Sequence, residues 1–479
     1  MSAPIDRREF LRATAAGAVA AAGASPLGAG AAEAGKGKDM PMTPYREPAR
    51  DTPLVERADV LVAGAGPAGV VAAIAAARAG AKVRLIEAGG CLGGTWTAGL
   101  LSWILDSGNK PGVLQDILAA LRKRGTGTKY GGSVAYDVEV MKLVLEEMCL
   151  AAGVSAQLHT RVVAAGKEIG RLAVAVTESK SGRQAWAAKA FVDATGDGDL
   201  AARAGCEFDY GDANTGRAQP MSMICLLTGA TPEGLTPFVR GLAEPAGKGN
   251  PKANLLAEMA RAGVRPSYTS PTIFFIRDGL FCMMANHEYG VAGTSAADLT
   301  AATFRGRAEA HRLVDALRNL GQPWRDVRIV ATAEHIGVRE GRRVRGLYTI
   351  TADDLAKGAR FEDAVCRCHF PVDVHSTDPK KDKGIARTGV RAQPYDIPYR
   401  SLVARDVSGL LLAGRCISGD FIAHSSYRVT GDAAATGQAA GAAAALAART
   451  GREPKDLPWA EIAGAIRCKA AASEVGTNP

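Results

Sequence analysis

The segment that most restricts the fold of this chain runs from Asp59 to Glu87 and reads DVLVAGAGPAGVVAAIAAARAGAKVRLIE. It predicts an apolar strand over Asp59 to Ala63, a glycine turn, an alanine-rich helix over about Pro67 to Ala79 and a second strand ending at Glu87. Two strands joined by a crossover helix form a βαβ unit, whose strands lie parallel in one sheet. The chain is therefore expected to belong to the α/β class.

The turn of this unit carries the pattern G-x-G-x-x-G at Gly64, Gly66 and Gly69. In this pattern the first glycine allows a tight turn, the second lets a pyrophosphate approach the backbone, and the third lets helix and strand pack closely. The first helical turn, which holds Ala68, would face the phosphates with free N–H groups. Glu87 is placed to accept hydrogen bonds from a ribose hydroxyl. The unit predicts a dinucleotide site, and the alternative is a glycine-rich turn without a ligand.

Two later strands run into residues that bring backbone close to a long ligand. In KAFVDATGDGD the strand leads to Gly196 and Asp197, and in GLLLAGRCISGD it leads to Gly414 and Arg415. A further glycine-rich loop, GGCLGG, ends at Gly94. Together with the βαβ unit, these segments resemble the glutathione-reductase-like FAD-binding fold.

More narrowly, the chain resembles a family of FAD-dependent oxidoreductases that carry segments similar to IGVREGRRVRG, FPVDVH and YDIPYRSL in this sequence. The resemblance covers about Asp59 to Ala448 and implies FAD as the cofactor. It also implies a Rossmann-like FAD-binding domain, built from the βαβ unit and a β-meander, with an inserted α+β substrate domain. The residues expected at FAD are Gly64, Gly66, Ala68, Gly69, Glu87, Ala88, Gly94, Thr95, Val162, Gly196, Asp197, Gly414, Arg415, Gly431 and Asp432.

Cys91 lies in the loop EAGGCLGGTW, directly after the βαβ unit. Flavin disulfide reductases of the fold that the chain resembles carry a second cysteine four or five residues later, where Thr95 and Trp96 stand here. The chain also shows only one βαβ fingerprint, so a separate NAD(P)H domain is not expected. We interpret Cys91 as a small apolar filler. A thiol near the flavin ring and a covalent flavin link remain alternatives.

The motifs divide the chain into six parts. A β-meander with turns at Gly170 and Ser181-Gly182, and a hairpin that turns at Asp278-Gly279, help to place the boundaries. The predicted parts are an export signal (1–31), a linker (32–57), the first part of the FAD-binding domain (58–210), the substrate domain (211–393), the second part of the FAD-binding domain (394–450), and a C-terminal helix and tail (451–479).

The N-terminus reads as a twin-arginine export signal. Arg7 and Arg8 precede a short alanine-rich stretch and the small residues Ala29-Gly30-Ala31. The apolar run of about 12 residues is too short to span a bilayer. The signal predicts a periplasmic or extracellular location, and the alternative is a disordered alanine-rich tail. No other segment approaches a membrane span.

Charge and cysteine content exclude some partners and sites. The net charge of +9 could suit an anionic substrate or surface. The basic segments REGRRVR and DPKKDK are interrupted by acids and lack aromatic residues, so a nucleic-acid partner is not expected. Cys366, Cys368 and His369 are close in sequence, but no second Cys/His pair stands at zinc-like spacing, so no metal site is assigned. A small-molecule substrate, and a redox partner or quinone, are the expected partners. The oligomeric state stays open.

Two of the three candidate catalytic residues, His424 and Arg428, lie in the return segment of the chain, and His375 lies in the predicted substrate domain near its return to the FAD-binding domain. A helix that begins near Thr430 is expected to direct its N-terminus at the flavin, and Arg428 would add a positive charge there. Oxidation of an alcohol or amine needs a base, for which His424 ranks first and His375 second. For each histidine the alternative is a structural role.

Two arginines are further candidates with two possible roles. Arg339, together with Glu340, forms either a supporting ion pair or a site for an anionic substrate, and Arg400 leaves the same choice open.

Three functions follow from these features. The first is an exported FAD-dependent dehydrogenase or oxidase that transfers a hydride from a small polar organic substrate to flavin N5. The second is a FAD-dependent reductase fed by a redox partner. The third is a non-redox flavoprotein isomerase or lyase.

Overall fold

The computed structural model describes residues 45–243 and 247–467. The predicted export signal (1–31), most of the linker (32–44) and the last part of the tail (468–479) lie outside the described residues. Residues 45–51 form a unit of their own without helix or strand, and the described residues from Thr52 onward belong to one compact unit.

The strands of the described residues, in chain order, are β1 (Leu54–Ala63), β2 (Val83–Ile86), β3 (Trp103–Ile104), β4 (Thr128–Tyr130), β5 (Ser133–Ala135), β6 (Ser155–Gln157), β7 (Arg161–Glu168), β8 (Arg171–Ser179), β9 (Gly182–Asp193), β10 (Phe208–Asp209), β11 (Ile224–Thr228), β12 (Val239–Arg240), β13 (Thr272–Arg277), β14 (Leu280–Met284), β15 (Arg328–Thr332), β16 (Arg343–Val344), β17 (Ala364–Cys368), β18 (Tyr395–Pro398) and β19 (Leu410–Leu412).

The α-helices are α1 (Pro67–Arg78), α2 (Val113–Lys123), α3 (Val138–Ala151), α4 (Asp199–Arg203), α5 (Pro232–Leu235), α6 (Pro251–Arg261), α7 (Ala296–Arg318), α8 (Ala352–Lys357), α9 (Phe421–Tyr427), α10 (Thr430–Thr450) and α11 (Trp459–Arg467). Short 3₁₀ turns lie at Gly94–Trp96, Thr236–Phe238, Tyr399–Leu402, Gly414–Cys416 and Pro454–Asp456. None of the helices among the described residues combines the length and apolar character needed to cross a membrane.

The largest sheet has seven strands and contains the βαβ unit. Its order is β6-β2-β1-β9-β8-β7, and β19 pairs with the second half of β9. Strand β1 pairs parallel with both β2 and β9, whereas β7, β8 and β9 form an antiparallel meander. Parallel strands end at a common edge of the sheet, so the carboxyl ends of β1, β2, β9 and β19 meet there. This arrangement confirms the predicted α/β class, and the edge is where a ligand of such a sheet binds.

Helices α1 and α10 pack backbone to backbone, because their contact surface consists of small residues. A Cβ atom built on Gly437 would lie 2.1 Å from the carbonyl oxygen of Ala68, and one built on Gly441 would lie 2.1 Å from that of Ala72. Glycine is therefore the residue that the contact accepts at both positions. The contact holds the N-terminus of α1 beside the early turns of α10.

A second sheet of five strands, in the order β12-β13-β14-β11-β15, forms an α+β layer. Helices α6 and α7 contribute Leu255, Met259, Leu313 and Leu317 to the apolar core of this layer. The hairpin β13–β14 turns at Asp278-Gly279, where Gly279 has a φ of +73°, as the predicted turn requires. The domain bounds predicted from the sequence stay a prediction.

Candidate active site

The glycine turn at the start of α1 combines two close backbone contacts with one open position. A Cβ built on Gly64 would lie 2.6 Å from the carbonyl oxygen of Ala194, and one built on Gly69 would lie 1.8 Å from that of Gly64. A Cβ built on Gly66 would meet nothing within 4 Å. The protein itself therefore requires glycine at the first and third positions. The second position leaves space for a ligand at the helix N-terminus, where Ala68 and its neighbours have N–H groups without helical partners.

Glu87 is held rigidly at the carboxyl end of β2. One carboxylate oxygen accepts a hydrogen bond from the amide of Ala65 at 2.7 Å, and the other accepts one from the amide of Gly89 at 2.6 Å. A carboxylate has about four acceptor sites, so each oxygen keeps capacity for a hydroxyl group. Ala88 lies between these residues and belongs to the same turn.

The loop that follows β2 lies against the glycine turn. The amide of Gly93 donates to the carbonyl of Ala65 at 2.7 Å, and a Cβ on Gly94 would come within 2.9 Å of the Cα of Gly66. Thr95 continues the 3₁₀ turn that begins at Gly94. The structure thus brings both predicted residues of this loop to the start of α1.

The thiol of Cys91, half-buried in the same loop, lies 3.5 Å from the hydroxyl oxygen of Thr97.

The ends of β9 and β19 complete this edge of the sheet. Asp197 and Arg415 form an ion pair at 2.9 Å, and a Cβ on Gly196 would lie 2.8 Å from the Arg415 guanidinium. The amide of Gly414 donates to Thr436 of α10 at 3.0 Å. The structure therefore brings together the predicted cofactor residues from four separate strand ends.

Three other predicted cofactor residues make contacts of a different kind. The side chain of Val162 is buried in β7, close in sequence to Thr160, whose amide donates to the carbonyl of Glu87 at 2.8 Å. Gly431 packs on the loop before α2, where its amide donates to the carbonyl of Leu105 at 3.0 Å. Asp432 is fully buried.

The predicted catalytic residue His424 lies in α9 and is completely buried. Neither ring nitrogen has a hydrogen-bond partner of normal geometry among the described residues, and Nδ1 lies 4.0 Å from a carboxylate oxygen of Glu340. Burial, followed by the positive charges of Arg343, Arg428 and Arg415, lowers the pKa of His424 well below its ordinary value, although a backbone interaction with Arg415 acts in the opposite direction. The ring is therefore neutral at neutral pH.

The second predicted histidine, His375, is more fully engaged. Its main-chain amide donates to the side-chain oxygen of Gln219 at 3.0 Å. Its Nε2 lies 3.3 Å from Asp373, and its Nδ1 lies 2.9 Å from Nε2 of His287. Burial and the charge of Arg339 lower the pKa of His375 to about 3, while Asp373 acts to raise it. His375 is thus a neutral imidazole held between a carboxylate and a second imidazole.

Gln219 and Glu340 connect the three predicted catalytic residues. The Gln219 amide group donates to Glu340 at 3.0 Å and accepts from the Arg428 guanidinium at 3.5 Å. Arg428 also donates to the main-chain oxygen of Asp373 at 2.9 Å and lies 3.4 Å from its carboxylate. Arg428 and His424, which lie one helical turn apart, therefore face the same polar, buried cluster as His375 from a separate segment.

Comparison of the sequence with protein-family models identifies the family of this chain. The family model described as FAD dependent oxidoreductase matches residues 59–466, which covers most of the chain and includes every site residue named above. This chain belongs to the FAD dependent oxidoreductase family. It is an enzyme of that family, and FAD is its cofactor.

Solved structures with detectable similarity are flavoenzymes and related proteins. A geranylgeranyl bacteriochlorophyll reductase-like protein from Thermoplasma acidophilum is 15% identical, with 83% of this chain and 80% of that chain covered and a TM-score of 0.40. The flavin-dependent brominase Bmp2 is 11% identical, with 86% and 83% covered and a TM-score of 0.46. The p-nitrophenol 4-monooxygenase PnpA from Pseudomonas putida is 12% identical, with 84% and 82% covered and a TM-score of 0.43. A search of curated proteins finds no match. With TM-scores this low, we infer no activity or substrate from the solved structures.

The residues at the edge of the large sheet fit FAD. The position of Gly66 leaves open space at a helix N-terminus, which suits a pyrophosphate, and Glu87 retains acceptor capacity for a ribose hydroxyl. One buried guanidinium nitrogen of Arg415, Nη1, has no hydrogen-bond partner among the described residues. A polar ligand alongside would satisfy this atom, since unpaired buried polar groups are costly.

Four residues of the cluster were not singled out from the sequence: Gln219, Tyr268, His287 and Tyr289. Residues 285–289, which include His287 and Tyr289, follow β14 directly, and this position at the end of a hairpin strand was the only available signal. His287 and its partner His375 lie 88 positions apart in sequence, so no local pattern could join them.

The two candidate arginines differ in their surroundings. Glu340 pairs with Arg343 and not with its chain neighbour Arg339, so the ion pair considered from the sequence does not form. Arg400 pairs with Asp363 at 3.0 Å, and its side chain is about half exposed. Only Arg339 belongs to the buried cluster.

Strand β17, which contains Cys366 and Cys368, lies close to the buried ammonium group of Lys110. Ligand atoms of Asp106, Cys368 and Asp432 lie within 4.8 Å of one another. The ammonium group of Lys110 lies 2.8 Å from Asp106 and 3.0 Å from Asp432, where it supplies positive charge to both carboxylates. Burial raises the pKa of Asp432 to about 7, while Lys110 acts to lower it. His369 contacts the side chain of Asn109 at 2.8 Å instead of joining this group.

Proposed function

We propose that this enzyme is a FAD-dependent dehydrogenase or oxidase that takes a hydride from a small polar organic substrate. The observation that carries the proposal is the buried, neutral His375, held beside Asp373 and close to Arg428. A neutral histidine next to a carboxylate is suited to accept a proton, because the carboxylate stabilises the resulting imidazolium. Oxidation of an alcohol or amine requires such a group.

FAD, when bound, supplies the acceptor for two electrons and the hydride at its N5 atom. Residues at the edge of the large sheet are proposed to hold it. The glycine turn and the N-terminus of α1 receive the pyrophosphate, Glu87 receives a ribose, and the segments at Gly196 and Gly414 lie along the remainder. The finer assignment to a glutathione-reductase-like arrangement, and the six predicted domain bounds, form part of the same proposal.

As the base we place His375 ahead of His424. Both rings are neutral, but the imidazolium of His375 would lie 3.3 Å from Asp373. His424 lacks a hydrogen-bonded carboxylate, and three positive charges surround it. His424 therefore has the weaker electrostatic support for accepting a proton.

The proposed location is periplasmic or extracellular. It rests on Arg7, Arg8 and the alanine-rich stretch behind them, together with the small residues near Ala31. A redox partner, a quinone or oxygen would take the electrons onward from the enzyme. These partners are proposed from the reaction class alone.

The experiment that tests the function is an anaerobic titration of the FAD-loaded protein, followed by its visible spectrum. A panel of sugars, hydroxy acids and amines is compared with NADH and NADPH. Bleaching of the flavin band by a panel compound is the expected result, and it names the substrate class. Bleaching by NADH or NADPH alone would make the enzyme a nicotinamide-dependent reductase and contradict the proposal. A flavin that no donor reduces would favour the reductase fed by a redox partner, or the isomerase or lyase.

A further inference from the structure

Four side chains of the buried cluster form a continuous row. The hydroxyl oxygen of Tyr289 lies 3.0 Å from Nδ1 of His287, and Nε2 of His287 lies 2.9 Å from Nδ1 of His375. Nε2 of His375 in turn lies 3.3 Å from the carboxylate of Asp373. The first two distances are those of hydrogen bonds, and the third is that of an ion pair.

The proton positions in this row follow from Asp373. Although burial acts to raise it, the contact with His375 and the charges of Arg428 and Arg339 bring the pKa of Asp373 well below its ordinary value, so the carboxylate only accepts. The proton of His375 is therefore on Nε2, since an unprotonated nitrogen there would face the carboxylate with a lone pair. His375 then accepts at Nδ1, which makes His287 the donor from Nε2. His287 accepts at its own Nδ1, and Tyr289 must donate its hydroxyl proton.

All three contacts thus point the same way, from Tyr289 toward Asp373. Packing holds the row in place: the ring of Tyr268 lies 4.1 Å from that of His287 and 5.5 Å from that of His375. The amide of His287 is also bonded to the hydroxyl of Ser267 at 2.8 Å. Both histidines are buried, whereas Tyr289 is half-buried, so the tyrosine is the more accessible end.

Arg339 lies beside this row and shares the negative charge of Asp373 with Arg428. Its guanidinium donates to the carbonyl of Pro220 at 2.7 Å and to the hydroxyl of Ser222 at 2.8 Å. Within the described part of the chain, no Asp or Glu oxygen lies within ion-pair distance of it, although the side chain is more than nine-tenths buried. Its positive charge acts on Tyr289 and on both histidines. An unpaired charge in such a place is costly unless an anion joins it.

The charges nearby leave an excess of one positive group. Arg428 has Asp373 as its partner, and the Glu340 carboxylate is paired with Arg343. Arg339 shares Asp373 with Arg428, so one positive charge is left over. Since guanidinium groups bind carboxylates with two parallel hydrogen bonds, a carboxylate is the complementary ligand.

We propose that the substrate of this site is a small hydroxy acid, whose carboxylate binds Arg339 and whose reacting hydroxyl donates to Tyr289. Tyr289 stands at the head of a proton relay that passes through His287 and ends at His375, beside the Asp373 carboxylate. The inference rests on the proposed function, and it adds the substrate class and a further catalytic residue. Tyr289 is that residue, and His287 is a positioning and proton-carrying residue behind it.

The oxidation balances along this row. The C–H bond of the substrate breaks, and its electron pair leaves with the hydrogen to FAD, while the C–O single bond becomes a carbonyl. The hydroxyl proton of the substrate passes to the Tyr289 oxygen, and the tyrosine proton passes to Nδ1 of His287. The Nε2 proton of His287 passes to Nδ1 of His375. His375 then carries two protons as an imidazolium opposite the Asp373 carboxylate, and the product leaves as a keto acid.

Binding of simple carboxylates tests the role of Arg339 without any turnover. Calorimetry on the FAD-loaded protein compares acetate, malonate and benzoate with their methyl esters. We expect at least one acid to bind and its ester not to bind. Arg339→Met should lower the affinity for that acid by about tenfold or more. Arg339→Lys should recover part of the affinity. The control is Arg405→Met, which removes an exposed arginine paired with Asp406 and Glu207.

Equal binding of acid and ester, equal affinity in Arg339→Met, or no binding of any of the three acids would overturn the carboxylate site. FAD content and circular dichroism of each variant show that it is folded and loaded. Because these measurements need no substrate oxidation, they separate failure of this inference from failure of the proposed function.

The relay has its own two readouts. Nitrogen NMR of the histidine rings should show His287 and His375 neutral at neutral pH with the proton on Nε2, with assignment by His287→Gln and His375→Gln. A proton on Nδ1 of either ring, or a cationic ring, would overturn the relay direction.

With a substrate that reduces the flavin, Tyr289→Phe should lower kcat by about 10²-fold with KM nearly unchanged, whereas Arg339→Met should mainly raise KM. Tyr348→Phe, whose hydroxyl contacts Asp354 instead, is the control. An unchanged kcat in Tyr289→Phe would remove Tyr289 from the reaction.

Discussion

Of the three glycines in the turn before α1, Gly66 is the one around which the protein leaves room for a side chain. Gly64 and Gly69 are glycines because neighbouring carbonyl groups would meet any side chain there. Gly66 has a φ of −67° and open space around a Cβ, so its backbone and its surroundings in the protein both accept a larger residue. In the proposed site, glycine at this position leaves this space to the pyrophosphate of FAD.

Gly66→Val should consequently fold as the natural chain does but lose FAD. A valine side chain would occupy the space proposed for the pyrophosphate. The measurement is the ratio of flavin to protein absorbance after purification, together with the urea midpoint of the FAD-free proteins. Gly132→Val is the matched control, since a Cβ there also meets nothing within 4 Å. Full FAD content in Gly66→Val would refute the site at the start of α1.

At the scale of elements, the contact between α1 and α10 decides how closely two layers of the FAD-binding region approach. Both helices consist largely of alanine and glycine, and most of α10 is buried. Small side chains bury little apolar surface each, so the stability of this contact comes from close backbone packing over its length. Such packing has no room for an additional group.

Gly441→Ala tests this contact. The added methyl group would lie 2.1 Å from the Ala72 carbonyl oxygen, so the helices must separate, and we expect a loss of about 2–3 kcal/mol in the free energy of unfolding. Gly464→Ala in α11 is the control, because a Cβ there meets nothing within 4 Å. That variant should be neutral or more stable by about 0.5–1 kcal/mol. Denaturant unfolding of both proteins measures the difference, and equal stability of the two variants would show that α10 adapts to the larger residue.

At the scale of the whole molecule, several buried ionisable groups make stability depend on pH. Burial, with nearby positive charge, lowers the pKa of His375 to about 3 and lowers the pKa of His287 and His424 as well. In the unfolded chain these histidines take up protons near pH 6.5, so below that pH the unfolded state binds more protons than the folded state. Stability is therefore complete above about pH 6.5 and falls as the pH drops. Asp432 acts in the opposite direction, since its raised pKa, about 7, favours the folded state as the pH falls.

Each of the three histidines should lower the free energy of unfolding by about 1.4 kcal/mol per pH unit below its unfolded pKa, and the urea midpoint between about pH 7 and about pH 5 measures this decline. His424→Leu removes one contributor and should make the decline shallower. His311→Gln changes an exposed histidine of α7 and should leave the slope as it is. A slope that does not change in His424→Leu would contradict the assignment of a buried, neutral His424.

Features that depend on residues close together in sequence could be predicted, whereas contacts between residues far apart in sequence could not. The βαβ unit, the meander and the Asp278-Gly279 turn follow from local patterns, and all are found in the structure. The small-residue contact at Gly437 and Gly441 was also foreseeable from their spacing of one helical turn. The row from Tyr289 to Asp373 was not, since it joins residues from different layers. Nor was the partner of Glu340, because side chains adjacent in sequence point in different directions.

The contact between α1 and α10 also affects the order in which the chain can fold during its synthesis. Gly414 and the helix that packs on α1 are synthesised some 350 residues after the glycine turn, between positions 64 and 414. Contacts this distant in sequence form late, because a long loop must close before they contribute. The proposed pocket for FAD is therefore assembled only after α10 has been synthesised, and a nascent chain stalled before α10 would expose the apolar face of α1 without gaining the cofactor that covers it.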